Sequence, residues 1–355
     1  MAIPAGSKES MSRQVFIRST NWIGDAVMSV AALREFRRLY PHDHLVLAAR
    51  PWVAGLFENQ GLVDQVISIE TTTSRVANFK HAVAVARSSD RALLLQNAFG
   101  SALVALAARV PERLGYSTDG RKLLLTRSGL PRIKRLGRHQ IYYYLDLLYQ
   151  VGLSDRDYLS DSDFKPDIHL VPAPNAVESA AQLLADNGVV RERPVVGVNP
   201  GAFFGSAKRW FIDRYAALAD LLIQRLDAQV LIFGSAGERE IADGIRGMMQ
   251  CRPIILAGTT DLRSLLALIS RCDLFITNDS GPMHLAAALD TPQIALFGST
   301  DEIATGPYSS KALVVHKHVE CSPCLLRECP LDLRCFDRIQ VDEVYELAKT
   351  SLTHG

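Results

Sequence analysis

The chain has 355 residues, which suits two domains better than one core. Hydrophobic residues make up 48% of it and charged residues 22%, the composition of an ordinary globular protein. Lys plus Arg number 39 against 38 Asp plus Glu, a formal charge of +1 that excludes any global field drawing the protein to nucleic acid.

The opening residues, Met1 to Ser12, are polar and lack the apolar stretch of a signal peptide. No later run approaches the ~20 apolar residues that cross a bilayer, so a cytoplasmic protein is expected. From Gln14 the chain alternates strand and helix. Gln14 to Arg18 reads as a strand, followed by a helix from Asp25 to Leu39 with Val27, Val30, Leu33 and Phe36 on its apolar face. Leu45 to Ala48, Val66 to Ser68 and Arg91 to Leu95 are further strands, and the small-residue run Ser101 to Val110 reads as a buried helix face. Pro166, Pro172 and Pro174 mark a linker around residues 167–175. The alternation then restarts with strands at Val195 to Val198, Val230 to Phe233, Ile254 to Leu256, Leu274 to Thr277 and Ile294 to Phe297. Such βαβ alternation predicts parallel sheets covered on both faces.

Two segments carry most of the chemistry. Asn278-Asp-Ser-Gly-Pro-Met-His284 ends a buried strand in a polar turn and opens a small-residue helix near Pro282, where proline suits the first turn. The unpaired N–H groups there, at the positive end of a helix dipole, form a ready phosphate site. Upstream, Pro200-Gly-Ala-Phe-Phe-Gly-Ser-Ala-Lys-Arg-Trp210 offers Gly201, Gly205 and the cations Lys208 and Arg209 after a strand. It is not a Walker A loop, because Lys208 is not directly preceded by glycine or followed by Ser or Thr. The two cations read either as a diphosphate clamp or as a solvated helix entrance.

Together with Asn21-Trp-Ile-Gly-Asp25 and Gln96-Asn-Ala-Phe-Gly-Ser-Ala-Leu103, these segments resemble the lipopolysaccharide heptosyltransferases of glycosyltransferase family nine. The resemblance runs from about Val15 to the C-terminal helix. It implies a GT-B fold, α/β with two doubly wound Rossmann-like domains facing a cleft. The acceptor-binding domain would span 1–172 and the ADP-heptose-binding domain 173–355, with the terminal helix (about 341–352) packing back on the first. It implies an inverting transfer of L-glycero-D-manno-heptose from ADP-heptose to the first heptose of the lipopolysaccharide inner core. Action at another core position, or epimerisation of a nucleotide sugar, are the alternatives.

The resemblance makes Asp25 the general base, whereas its position beside a helix start also suits a cap. Lys208 would neutralise the leaving diphosphate. Gly201, Ser280, Gly281 and His284 would complete the donor cradle, Asp279 would meet sugar hydroxyls, and Glu238 the ribose. His284 also reads as a packing residue and Glu238 as the start of a helix. Asn21, Arg135 and Arg138 are the candidate acceptor contacts. The last two lie in the basic run Arg132 to His139, ahead of Tyr142, Tyr143 and Tyr144, a stretch that reads as a solvated face or as a dock for the acceptor or the anionic inner membrane. The triplets Asp155 to Asp157 and Asp161 to Asp163 follow no strand and read as loop, so neither a metal nor a cofactor is expected. Cys251 and Cys272 read as inert core residues. Cys321, Cys324, Cys329 and Cys335 crowd one polar segment, with a spacing that permits zinc but is irregular for a zinc ribbon. Reduced thiols are the alternative.

Overall fold

The structure is a computed structural model that describes residues 12–353. The reading of Met1 to Ser12 as free of a signal segment therefore falls, but for Ser12, outside the described residues. The first half runs β1 Gln14–Arg18, α1 Ile23–Leu39, β2 His44–Ala49, α2 Pro51–Ala54, β3 Gln65–Ser68, α3 Arg75–Ala86 and β4 Arg91–Leu94. It continues with α4 Phe99–Ala107, β5 Glu112–Tyr116, β6 Arg127–Gly129, α5 Ile133–Leu136 and α6 Ile141–Gln150. These six strands form one parallel sheet in the order β3-β2-β1-β4-β5-β6. The central strands β2, β1 and β4 are mostly apolar and buried because helices cover both faces of the sheet. The second half comprises α7 Pro174–Asp186, β7 Val195–Asn199, α8 Ile212–Leu226, β8 Gln229–Ile232, α9 Arg239–Met248, β9 Ile254–Ile255 and α10 Leu262–Ile269. It ends with β10 Leu274–Asn278, α11 Gly281–Ala288, β11 Gln293–Phe297, α12 Glu302–Thr305, β12 Ala312–His316, α13 Arg334–Asp337 and α14 Val341–Thr353. Its sheet is also parallel, in the order β12-β11-β10-β7-β8-β9. In both sheets the order reverses beside the first strand, which places a crevice at the carboxyl ends of β1 and β7.

The halves meet where α1 packs on α11, and α6 backs α1 from behind. One apolar cluster runs through the junction, from Val27 and Leu145 to Leu285 and Ala286. The segment between the halves is tied down. Leu170 donates its N–H to Ala288 O, and Gln60 brackets Val171 with hydrogen bonds to both its N–H and its C=O.

Three expectations are corrected. The terminal helix α14 packs within the second half, against α8, β10 and β11, with Val344, Tyr345 and Ala348 in the same core as Trp210 and Leu218. Phe336 and Ile339 are buried in that core immediately ahead of it, so the chain has no slack to reach the first half. The run Ser101 to Val110 is only partly a buried face. Ser101, Ala102 and Ala105 point inward, whereas Leu103 and Leu106 face solvent. Of the two cysteines read as core, Cys272 is buried, with its thiol pKa pushed up by burial, whereas Cys251 is only half-buried.

Candidate active site

Asp25 occupies the third position of α1, not its cap. The capping position is held by Trp22, whose side chain makes no capping bond. The Asp25 carboxylate instead accepts a hydrogen bond from the Tyr144 hydroxyl of α6 at 3.1 Å. Burial raises the Asp25 pKa above the ordinary carboxylate value, while the Tyr144 hydrogen bond and the charge of Lys208 pull it back. Burial and the adjoining carboxylate keep the Tyr144 phenol protonated, so it stays the donor. The residue lies on the first half of the molecule, yet it senses a cation on the second.

That cation is nearly covered, with its Nζ 2.5 Å from Asp279 Oδ2 and 5.1 Å from the centre of the Phe204 ring. Thr300 donates to the same Asp279 oxygen at 2.6 Å. Asp279 Oδ2 is thus engaged with both Lys208 and Thr300. Arg209 turns away from the cleft and braces the loop by donating to Ala202 O at 3.1 Å.

The loop is shaped by Asn278, a residue to which the sequence motif assigns no role of its own. Its Oδ1 accepts from the Trp210 N–H at 3.1 Å and from the Tyr215 hydroxyl at 2.9 Å, and its Nδ2 donates to Pro200 O at 2.7 Å. A buried amide satisfied on both sides fixes the strand-to-loop geometry strongly, because any change strands a buried polar atom. Gly201 passes so close to Glu238 that an added Cβ would stand 2.2 Å from Oε1. Glu238 closes a capping box with Ser235, accepting its N–H and its hydroxyl at 2.8 Å each through Oε2. One Glu238 oxygen thus starts the helix, and the other lies against Gly201 of the loop.

The N-termini of α1 and α11 converge. A Cβ on Gly281 would lie 3.0 Å from the Ile23 side chain and 3.7 Å from Gly24 N, and neither helix has a side-chain cap. Two positive dipole ends thus open on one spot beside Lys208, an electrostatic arrangement suited to a diphosphate. Ser280, the capping residue of α11, is held by Asn199 at 3.2 Å. His284 does not add a cation. Burial depresses its pKa to about 4, so the ring is neutral, and it packs on Gly24, where a Cβ would meet Cδ2 at 2.8 Å.

The first half supplies a more open wall. Trp22 and Trp52 are 54% and 50% exposed, and Trp22 meets Phe203 of the opposite loop with ring centres 5.3 Å apart. Asn21 accepts from the buried Arg18 at 3.0 Å, and Arg18 also pairs with Glu70. The basic run does not form one cationic face. Arg132 is tied to Asp146 and Asp157, Arg138 donates to Leu159 O and lies over Tyr142, and Arg135 alone of the two predicted acceptor arginines is exposed without an ion pair to a described residue. Nor do the three tyrosines share a face, since Tyr143 and Tyr144 are buried and Tyr142 is not. Asp157 serves Arg132, and Asp161 accepts the backbone N–H groups of Asp163 and Phe164, so both acidic triplets are occupied in shaping loop. A second missed residue, Arg121, is wholly buried and clamps the 96–101 segment through Gln96 O, Asn97 and Ser101. The four clustered cysteines are free thiols that line one small cavity of about 20 Å³ together with Ala207 and Ser299.

Two doubly wound parallel sheets facing across a crevice are the architecture of a GT-B enzyme. The glycosyltransferase family 9 (heptosyltransferase) model matches residues 78–334. The chain is 33% identical to lipopolysaccharide heptosyltransferase 2 of Salmonella typhimurium, over 85% of its own length and 87% of that protein. It is 29% identical to lipooligosaccharide heptosyltransferase 2 of Campylobacter jejuni, over 96% and 99% of the two chains. The solved structure of E. coli ADP-heptose LPS heptosyltransferase II superposes with a TM-score of 0.80 at 29% identity, covering 96% of this chain and 98% of that one. The chain belongs to glycosyltransferase family 9, the heptosyltransferases, and is a glycosyltransferase of GT-B fold.

Proposed function

We propose that the protein transfers heptose from ADP-heptose to the first heptose of the lipopolysaccharide inner core, with inversion, as a heptosyltransferase II. The observation that carries the chemistry is the placing of Asp25 and Lys208, one from each half of the chain, beside the converging N-termini of α1 and α11, where the charge of Lys208 acts on the carboxylate. In-line displacement needs a base on the acceptor side and a counter-charge on the leaving-group side. Asp25 takes the proton of the attacking hydroxyl, and its raised pKa makes it a stronger base than a solvated aspartate. Lys208 and the uncapped N-termini of α1 and α11 receive the ADP. The choice of acceptor is supported by the similarity to several heptosyltransferase 2 proteins along nearly the whole chain. Among the described residues no helix is long and apolar enough to cross a membrane, so the enzyme would reach its glycolipid acceptor from the bilayer surface.

The test is direct. Purified protein is given ADP-heptose and lipopolysaccharide truncated after its first heptose, and the product is read by mass spectrometry. A gain of one heptose is expected. Transfer only to a differently truncated core would move the acceptor position, and ADP release without transfer would contradict the reading.

A further inference from the structure

On the face of the first sheet opposite α1, helix α4 shows solvent an apolar stripe. Phe99, Leu103 and Leu106 recur at i, i+4 and i+7 and so share one side of the helix, and they are 46%, 37% and 39% exposed. The inward side of the same helix carries the small residues Ser101, Ala102 and Ala105. Against α4 packs the short turn Lys122–Leu124, on which Leu123 stands 94% exposed. These side chains belong to none of the buried core clusters among the described residues, and the stripe begins at Phe99, just beyond the carboxyl end of β4, on the rim of the cleft.

The charges around it are of one predominant sign. Between Phe99 and Arg138 the sequence has nine Lys and Arg and only two acids, Glu112 and Asp119, although the whole chain has a net charge of +1. Glu112 is already taken up by Arg13, Arg91 and Arg127, which leaves Asp119 as the exposed acid of the stretch. Arg109, at the end of α4, and Lys122, beside Leu123, are exposed and form no ion pair with a described residue. Exposed apolar side chains bordered by free cations match a surface that is anionic outside and hydrocarbon within.

We propose that this face, with Leu103, Leu106 and Leu123 as the inserting side chains and Arg109 and Lys122 as the paired cations, docks the enzyme on an anionic lipid bilayer. The inference rests on the reading of the acceptor as a membrane glycolipid. The stripe starts at the cleft rim, so docking there brings the mouth of the acceptor side toward the headgroups. It also moves the membrane-facing surface from the run Arg132 to His139, whose Arg132 is tied to the buried Asp146, to α4 and the turn beside it.

The test is co-sedimentation of the full chain with vesicles of phosphatidylethanolamine and phosphatidylglycerol, beside neutral phosphatidylcholine vesicles. Transfer to a deacylated, soluble acceptor is assayed in parallel. Binding should require the anionic lipid and weaken with salt. Leu103→Ser/Leu106→Ser and, separately, Leu123→Ser should each lower the bound fraction severalfold, and Arg109→Gln/Lys122→Gln should weaken binding by roughly fivefold per charge. All these variants should transfer heptose to the soluble acceptor at the unaltered rate. Equal binding by wild type and variants, or none by wild type, would overturn the docking face while leaving the proposed activity standing. Association of the free protein into dimers that the leucine changes abolish would assign the stripe to a second copy and overturn it too. Loss of transfer to the soluble acceptor by the wild-type protein would instead strike the proposed function itself.

Discussion

The two walls of the cleft are built on opposite principles. On the second half, Asn278 ties loop 200–210 to its strand, Thr300 and Lys208 hold Asp279, and Asn199 holds Ser280, so the wall is braced by its own hydrogen bonds. On the first half, Trp22 and Trp52 stand about half exposed and Asn21 is held from behind by Arg18, so the wall is open and polar-aromatic. A preformed wall suits a ligand of fixed shape and charge such as a nucleoside diphosphate, because little ordering is left to be done on binding. An open wall suits a large, variable glycan. Asp25 belongs to the open wall by sequence and to the formed one by electrostatics, which is the arrangement needed to couple them.

The sharpest way to break this contrast is Asp25→Asn, which keeps size and the ability to accept the Tyr144 hydrogen bond. Turnover should drop by roughly two to four orders of magnitude, the usual range for a lost general base. Transfer by the unmodified enzyme should decline as pH falls through a pKa above the ordinary carboxylate range, and the residual activity of the variant should lack that limb. Stability should move the other way. Burial raises the folded-state pKa, so the ionised carboxylate costs the folded state free energy above that pKa, and the cost vanishes as pH falls below the unfolded value. The variant should therefore melt no lower than wild type at neutral pH, with the difference closing in acid. A lower melting temperature with full turnover per folded molecule would make Asp25 structural.

Lys208→Ala attacks the formed wall. Losing one charge-assisted contact should weaken ADP binding about ten- to a hundredfold and slow transfer with it, since the cation meets the diphosphate before and during transfer. Some thermal stability should go too, because Asp279 keeps only Thr300 as partner. Unchanged ADP affinity would place Lys208 outside the donor site.

Gly24→Ala tests the seam between the walls. The new methyl would press on the His284 ring at 2.8 Å and displace the turn that carries Asp25, so transfer should drop about tenfold or more with a smaller loss of stability. Combining it with His284→Ala, which empties the space the methyl needs, should recover part of the activity. If Gly24→Ala is silent, the seam is not set by that contact. The smallest effect is expected from chelation. Lys208 and two helix N-termini supply positive potential without a divalent ion, so transfer should survive EDTA. Activity lost on chelation and restored by magnesium or manganese would put the missing charge on a metal.

How much of this was legible in the sequence follows the range of the interactions. The strands with continuous apolar runs, such as β1, β7 and β10, stand out by composition. Two that do not are β5, which opens with Glu112 and Arg113, and β6, which is Arg-Ser-Gly; β12 has an apolar run but lies on the sheet edge, with Leu313 and Val314 exposed. Asp25, Lys208, Asp279 and Ser280 were legible because each sits in a short motif beside a strand end. Tyr144 was not, because it reaches Asp25 from 119 residues away, and Asn278 holds Trp210 across 68. The terminal helix was misplaced for the same reason. An amphipathic pattern states that a helix will bury one face, not which half of the molecule will receive it.

The central claim is that donor binding and proton removal are lodged in separate walls, and one titration tests it. ADP binding is measured calorimetrically on Asp25→Asn protein whose transfer has been lost. The account predicts an affinity within about twofold of wild type, because Lys208 and the two helix N-termini are untouched. A loss of ADP binding in proportion to the loss of transfer would contradict it, and would make Asp25 part of the donor wall.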